Sequence, residues 1–208
     1  PVPAEGRHLR RRQSVCVHMA NEAEEALVAY LEEAYVTDLA LEVEKLQFHL
    51  SRAPPGGFSW NERSEDGLPC LHLAAMNEAT DPDELARVLA MLLEAGAPAK
   101  EKDDDGDTAL QGVITLAEAG DSPERQQIML INCAAVRALL RASAPLSQEQ
   151  VSSVCAWLRQ YVPAEKRSEV IADLEAVVGP EAVAKVWCSE ELLEYLEQKA
   201  YEEKQGVD

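Results

Sequence analysis

A short turn pattern recurs in this chain after 39 residues, and the recurrence strongly limits the folds that the chain can adopt. Gly106 follows Gly67 by 39 residues, and an aspartate precedes each of the two glycines. A second pair, Gly57 and Gly96, has the same separation. Glycine adopts positive φ at little cost, so these positions are expected at tight turns and helix ends. A period of this length is typical of folds built from stacked supersecondary units.

Two helices are predicted between consecutive turns. A small apolar face predicts the short first helix, and its residues are Leu71, Leu73, Ala74 and Ala75. The second helix follows the i, i+3, i+4, i+7 spacing of an amphipathic helix, with Leu85, Val88, Leu89, Leu92 and Leu93. Gly96 is expected to end it. One such helical pair cannot bury its apolar face alone, so neighbouring pairs are required.

These segments resemble the ankyrin-repeat family. The stretch from Asp66 to Ala75 reads Asp-Gly-Leu-Pro-Cys-Leu-His-Leu-Ala-Ala, which is similar to the opening of an ankyrin repeat, and Val88 to Ala97 is similar to its close. Some positions depart from the family pattern. Pro69 and Cys70 replace Thr and Pro, Gln111 replaces His, and Ser143 replaces a repeat-ending Gly.

The resemblance implies an all-α stack of helix-turn-helix repeats over about residues 22–146, with repeat ends at Gly57, Gly96 and Ser143. The usual period is about 33 residues, so the longer period here predicts insertions, one over Glu78–Asp83 and one over Ala117–Gln126. The family's histidine, here His72, is expected to hydrogen-bond the backbone between repeats. The turns and first helices of such arrays form a concave face that binds proteins.

Three regions are predicted: a basic N-terminal extension (1–20), an ankyrin-like domain (21–146) and a helical C-terminal segment (147–208). Asn21 and Glu24 form a capping-box pattern before the first helix, and a second helix is predicted over Asp38–Ser51. Ser147 with Gln150 predicts another capping box. The C-terminal segment has four predicted helices, the last beginning after Ser189 with Leu192, Leu193 and Leu196. This segment either caps the open end of the stack or forms its own docking unit.

The charge of the chain limits its partners. The formal net charge is −19 at pH 7, which argues against nucleic-acid binding and against adsorption to anionic lipid. It favours protein partners that offer a basic patch. No run approaches the roughly 18 apolar residues of a bilayer-spanning helix, so any membrane association is expected through an assembly.

Residues 1–20 differ in charge from the rest of the chain. They contain four arginines (Arg7, Arg10, Arg11 and Arg12) and one acid, Glu5. Arg-rich, acid-poor N-termini are typical of organelle transit peptides, and Val15 to Ala20 is similar to the end of many plastid transit sequences. An organelle is therefore expected, a plastid before a mitochondrion. The alternative is a cytoplasmic protein whose basic tail lies free or on its own acidic surface.

Catalytic and metal sites are not predicted. Glu101, Asp103, Asp105 and Gly106 resemble the start of a calcium-binding loop, but the twelfth position, which requires a bidentate acid, is Gly112. Cys70 and His72 form no recognisable nucleophile pair. The cysteines follow no metal-ligand spacing, and we interpret Cys70, Cys133 and Cys155 as small buried hydrophobes. No cofactor is expected, and an enzyme with an unrecognised site is a distant alternative.

The predicted function is therefore non-catalytic protein–protein interaction. Phe58 and Trp60 stand where the repeat usually has small residues, so they are candidate partner anchors; the alternative is that they pack inside the fold. Four aspartates cluster at the second turn and are candidates for contact with a basic partner: Asp103, Asp104, Asp105 and Asp107. Two versions of the function remain open. One is a peripheral scaffold subunit of a larger, organellar complex, and the other is a free adaptor that binds clients reversibly.

Overall fold

The computed structural model describes residues 22–116, 123–143 and 145–187, and these are mostly helical. The helices are α1 (22–36), α2 (Val43–Leu50), α3 (Cys70–Ala75), α4 (Pro82–Glu94), α5 (Ala109–Leu116), α6 (Pro123–Ala142), α7 (Gln148–Tyr161), α8 (Ala164–Val178) and α9 (Pro180–Trp187). The predicted all-α class is confirmed for these residues. Within the same ranges, each helix is too short or too polar to cross a membrane.

The chain divides into two compact units, residues 1–109 and 110–208. The first contains α1 to α4, and the second contains most of α5 and α6 to α9. The boundary predicted after residue 146 lies inside the second unit. The three-region organisation predicted above therefore stays a prediction.

The second helix is shorter than the sequence pattern predicts. The predicted helix over Asp38–Ser51 begins only at Val43, and Asp38 has a positive φ of 52°. The backbone N–H groups before α2 donate to side chains of other segments: Leu41 to Thr80 Oγ1 at 2.7 Å and Glu42 to Tyr30 Oη at 2.9 Å. Because these side chains satisfy the groups at the helix start, residues 39–42 stay outside the helix, and α2 begins after them.

The predicted helical pair of the central repeat is present as α3 and α4. All six residues of α3 are buried. Asp81 caps α4, since its side chain accepts the N–H groups of Asp83 and Glu84, and Pro82 occupies the first helical position. The predicted insertion over Glu78–Asp83 is therefore partly helix.

The loop before α4 is fixed by the buried side chain of Asn77. Its Nδ2 donates to the carbonyl oxygens of Ala34 and Leu39, while its Oδ1 accepts from the N–H and hydroxyl of Thr80. This inserted loop is thereby joined to the end of α1, and its buried polar atoms are not available to a partner.

The second unit is organised around α6, α7, α8 and α9. The predicted capping box of α7 is confirmed, with Ser147 and Gln150 each accepting the other's backbone N–H. Gly179 ends α8 with a φ of 88°, and Pro180 begins α9, as the sequence predicts.

The second predicted insertion, Ala117–Gln126, is described only in part. Residues 117–122 lie outside the described residues, and residues 123–126 form the start of α6. The predicted cap at Asn21 and the predicted last helix after Ser189 also lie outside them.

Three ion pairs join α6 to α8. Asp173 on α8 accepts from Arg137 Nε at 2.7 Å and from Arg141 at 2.6 Å, and Arg137 also pairs with Glu169. Burial alone would raise the pKa of Asp173, but the two arginines outweigh it and lower the pKa. The carboxylate therefore stabilises the packing of these two helices while it is charged.

Candidate interaction site

Two turns of the first unit, 39 residues apart, have the same geometry. The first turn (63–69) and the second turn (102–108) are each closed by one antiparallel bridge, Arg63 with Pro69 and Lys102 with Thr108. In the first turn Ser64 N–H donates to Leu68 O at 3.0 Å, and in the second Asp103 N–H donates to Asp107 O at 2.9 Å. The recurrence in sequence is thus a recurrence in backbone geometry.

The side chain at the start of each turn also has an equivalent role. Ser64 Oγ accepts the N–H of Leu68 at 3.0 Å, and Asp103 Oδ1 accepts the N–H of Asp107 at 2.8 Å. Asp103 Oδ1 accepts a further N–H, from Asp105. Asp103 therefore holds its own turn together, which is a structural role that the sequence pattern did not predict.

The glycines Gly67 and Gly106 provide the positive φ that both turns need, at 77° and 89°. They differ in their surroundings. A Cβ added at Gly67 would lie 2.2 Å from a carboxylate oxygen of Asp104, while one added at Gly106 would meet nothing within 4 Å. The second turn therefore lies against the first, with Asp104 over Gly67.

His72 joins α3 to the second turn. Its ring is 1% exposed, and Nε2 is 3.0 Å from the carbonyl oxygen of Asp107. Because a carbonyl oxygen can only accept, Nε2–H is the donor of this hydrogen bond. Asp103 Oδ2 is 3.9 Å from the same nitrogen. His72 therefore links α3 to the backbone of the second turn.

A second cross-link begins at Arg63 of the first turn. Its guanidinium donates to Gly67 O at 2.9 Å and to the Glu101 carboxylate, also at 2.9 Å. Burial raises the pKa of Glu101, and the charge of Arg63 opposes that shift. The region before the second turn is thereby fixed by a partly buried ion pair as well as by the histidine.

The acidic cluster at the second turn is only partly available to a partner. Asp104 and Asp105 are exposed, whereas Asp103 and Asp107 are half-buried. The two exposed carboxylates lie on a turn whose backbone is held by hydrogen bonds to Asp103. Of the four predicted partner-binding aspartates, these two could contact a partner without rearrangement.

The aromatic candidates, Phe58 and Trp60, lie inside the fold. They are 8% and 9% exposed, with ring centroids 5.1 Å apart. Trp60 has a positive φ of 59°, and a methyl group added at Gly96 would lie 3.5 Å from its Nε1. Their burial favours the packing alternative over the anchor alternative, because a buried ring offers a partner little surface.

Sequence reasoning missed the buried acid Glu24, interpreted above as part of a capping box. It is 1% exposed, and its carboxylate accepts the N–H and hydroxyl of Ser59 and the N–H of Glu62. Burial would raise the pKa of Glu24, but these hydrogen bonds lower it overall. Its partners lie 35 and 38 residues away, so no local pattern could have indicated them.

The thiols of Cys70, Cys133 and Cys155 all have raised pKa values. Burial raises the pKa of the Cys70 thiol to about 12 and those of Cys133 and Cys155 to about 11, so the reactive thiolate is scarce at neutral pH. Within residues 22–116, 123–143 and 145–187, no group of three metal-ligating side chains converges. In the second turn, the Asp103 carboxylate accepts hydrogen bonds from the backbone N–H groups of Asp105 and Asp107.

Comparisons with family models, curated proteins and solved structures gave no significant match.

Proposed function

We propose that this chain is a non-catalytic protein–protein interaction module built on an ankyrin-type repeat stack. The observation that supports it best is the pair of equivalent turns, joined by the contact of His72 with Asp107. This arrangement aligns successive turns rigidly, as a protein-binding array requires.

We propose the second turn as the contact with a basic patch on the partner. Asp104 and Asp105 are exposed on a turn whose backbone is held by its own hydrogen bonds, so the backbone of this turn needs little ordering on binding. Charges at the rim of an interface mainly set the association rate and its dependence on salt. The proposal thus predicts an electrostatically accelerated association.

The chain offers a closely matched control for this test. The full chain with Asp104→Asn and Asp105→Asn loses two negative charges at the second turn. Glu65→Gln with Asp66→Asn removes the same charge from the equivalent, exposed positions of the first turn. Association with the purified native partner would be followed by stopped-flow fluorescence across a salt series.

We expect the second-turn variant to associate several-fold more slowly and with a flatter salt dependence, while the first-turn variant remains close to the unchanged chain. An equal effect of both pairs would mean that only overall charge matters. If the second-turn variant has an unchanged association rate and an unchanged salt dependence, the second turn is not part of the interface.

We favour a peripheral subunit of an organellar, plastid-type assembly over a free adaptor. The motivation is the Arg-rich sequence of residues 1–20 together with the long inserted segments. Affinity purification of the full chain from its native source, washed at high salt, separates the two: a subunit stays with one defined complex, whereas an adaptor washes off. Recovery of the tagged chain only from the cytosolic fraction would contradict the organellar proposal.

A further inference from the structure

An apolar groove lies on the second unit, among the start of α7, the end of α8 and the face of α9. Its volume is about 430 Å³. Its walls are mainly aliphatic, and one basic residue stands at its rim; the residues that matter here are Leu146, Val151, Val177, Val178, Lys185 and Val186. Leu146, Val177 and Val178 are only half-buried. Covering them with apolar groups would therefore be favourable.

The chain leaves α9 at the wall of this groove. Val186 lines the groove, and Trp187, the next residue, ends α9. The guanidinium of Arg159 on α7 lies 4.7 Å from the centre of the Trp187 ring, which holds the end of α9 against α7. Whatever follows residue 187 thus starts within a few residues of the groove.

The sequence that follows has the pattern of a groove-binding helix. Leu192, Leu193 and Leu196 share one side of a helical projection, while Glu194 and Gln198 lie on the opposite side. Amphipathic helices of this kind bind apolar grooves through leucines at such spacings. The segment is rich in glutamate, which is opposite in sign to Lys185 at the rim.

We propose that the groove among α7, α8 and α9 is the docking site for the chain's own residues 189–200, bound through their leucine side. A tethered segment has an effective concentration of the order of mM, so an intrinsic Kd of about 1 mM or lower is enough to keep it bound. This site is separate from the turns of the first unit and does not depend on the function proposed for them.

The test uses the full chain with a photo-crosslinking benzophenone amino acid in place of Leu193. A matched protein has the same group in place of Gln198, on the opposite side. After illumination, mass spectrometry maps the cross-linked peptides, and a mixture of ¹⁵N-labelled and unlabelled chains separates links within one chain from links between two.

We expect links within one chain from position 193 to the peptides that contain Val151, Val177, Val178 or Val186, with far fewer from position 198. Adding Leu192→Asp and Leu196→Asp should lower the yield by at least about tenfold, because two apolar contacts with the groove are lost. The exposed rim variant Lys185→Glu, which leaves the core intact, should lower it too.

Three results would overturn the proposal. Links mainly between chains would assign the groove to a second copy. Equal yields and equal targets from positions 193 and 198 would indicate non-specific contact. Absence of any link to the groove peptides would mean that the groove binds a separate partner and not this segment.

Discussion

At the scale of single residues, Glu24 is a buried carboxylate whose charge stabilises the fold. Three hydrogen bonds from Ser59 and Glu62 compensate for its removal from water. They join α1 to the segment that leads into the first turn. A charged acceptor with several donors is a strong interaction, and a neutral replacement leaves the donors less well satisfied.

Glu24→Gln is therefore expected to reduce the free energy of unfolding by about 1–3 kcal/mol at pH 7. The pKa of Glu24 is lower in the folded chain than in the unfolded chain. Its stabilising contribution is thus present above the unfolded pKa and lost as pH falls through the folded pKa. Urea unfolding from pH 7 down to pH 3 should show the difference between Glu24→Gln and the unchanged chain shrinking with acid.

Glu25→Gln serves as the control for this series, because Glu25 is the exposed neighbour on the same helix. It should change stability by less than about 0.5 kcal/mol. A Glu25 effect as large as that of Glu24 would mean that net charge, and not the hydrogen bonds, causes the loss.

The two turn glycines allow a second test at this scale. Gly67→Ala and Gly106→Ala each force alanine into positive φ, at a cost of about 1–2 kcal/mol. Gly67→Ala also displaces the Asp104 carboxylate, so it should cost more than Gly106→Ala. In an Asp104→Ala background the two costs should become equal, as measured by urea unfolding. A difference that persists there would mean that Asp104 does not lie over Gly67.

At the scale of elements, α6 and α8 are joined by a small charge network. Asp173 is 13% exposed at its side chain and receives both Arg137 and Arg141, which are 36% and 63% exposed. Partial burial makes these pairs stronger than isolated surface pairs, but solvent still screens the outer arginine. Asp173 is therefore the member whose loss matters most.

A double-mutant cycle with Arg137→Gln and Asp173→Asn should give a coupling free energy of about 1 kcal/mol at low salt. The pKa of Asp173 is lowered in the folded chain, so the coupling is present above its unfolded pKa and lost as pH falls through the folded pKa. Thermal unfolding at pH 7 and at pH 3 would measure it. A coupling of equal size at both pH values would contradict the electrostatic account.

At the scale of the whole molecule, the excess of acids opposes folding. The chain has 38 acidic and 19 basic side chains, and like charges brought together in a compact state repel each other. Raising NaCl from about 0.01 M to about 0.1 M shortens the screening length from roughly 30 Å to roughly 10 Å. The melting temperature should rise by about 2–4 °C for each kcal/mol of repulsion removed.

Asp173→Asn separates the two effects of salt on the melting temperature. This variant lacks the attractive pairs that salt weakens, so its rise in melting temperature should exceed that of the unchanged chain. Differential scanning calorimetry across the salt series would measure both. A melting temperature that falls with salt in both proteins would mean that attractive pairs outweigh repulsion.

The parts of the fold that sequence reasoning predicted depend on local chemistry. Positive φ at Gly67 and Gly106 requires glycine, and the capping box of α7 is a pattern within four residues. The parts that it missed depend on distant partners. The donors to Glu24 lie 35 and 38 residues away, and the side chains that accept from Leu41 and Glu42 before α2 lie 39 and 12 residues away. Hydrophobic periodicity gives no signal for such contacts. All four aspartates of the second turn were predicted alike as partner contacts, and the structural role of Asp103 was not predicted.

The contact between His72 and Asp107 also has a consequence for synthesis. The two residues are 35 positions apart, and ribosomes add ~5–20 residues per second, so the acceptor of this buried ring is made about 2–7 s after the ring itself. During that interval α3 has its apolar face but lacks the polar partner that its burial requires. The nascent chain therefore has a period in which chaperones can bind α3, and that period ends only when the second turn has emerged.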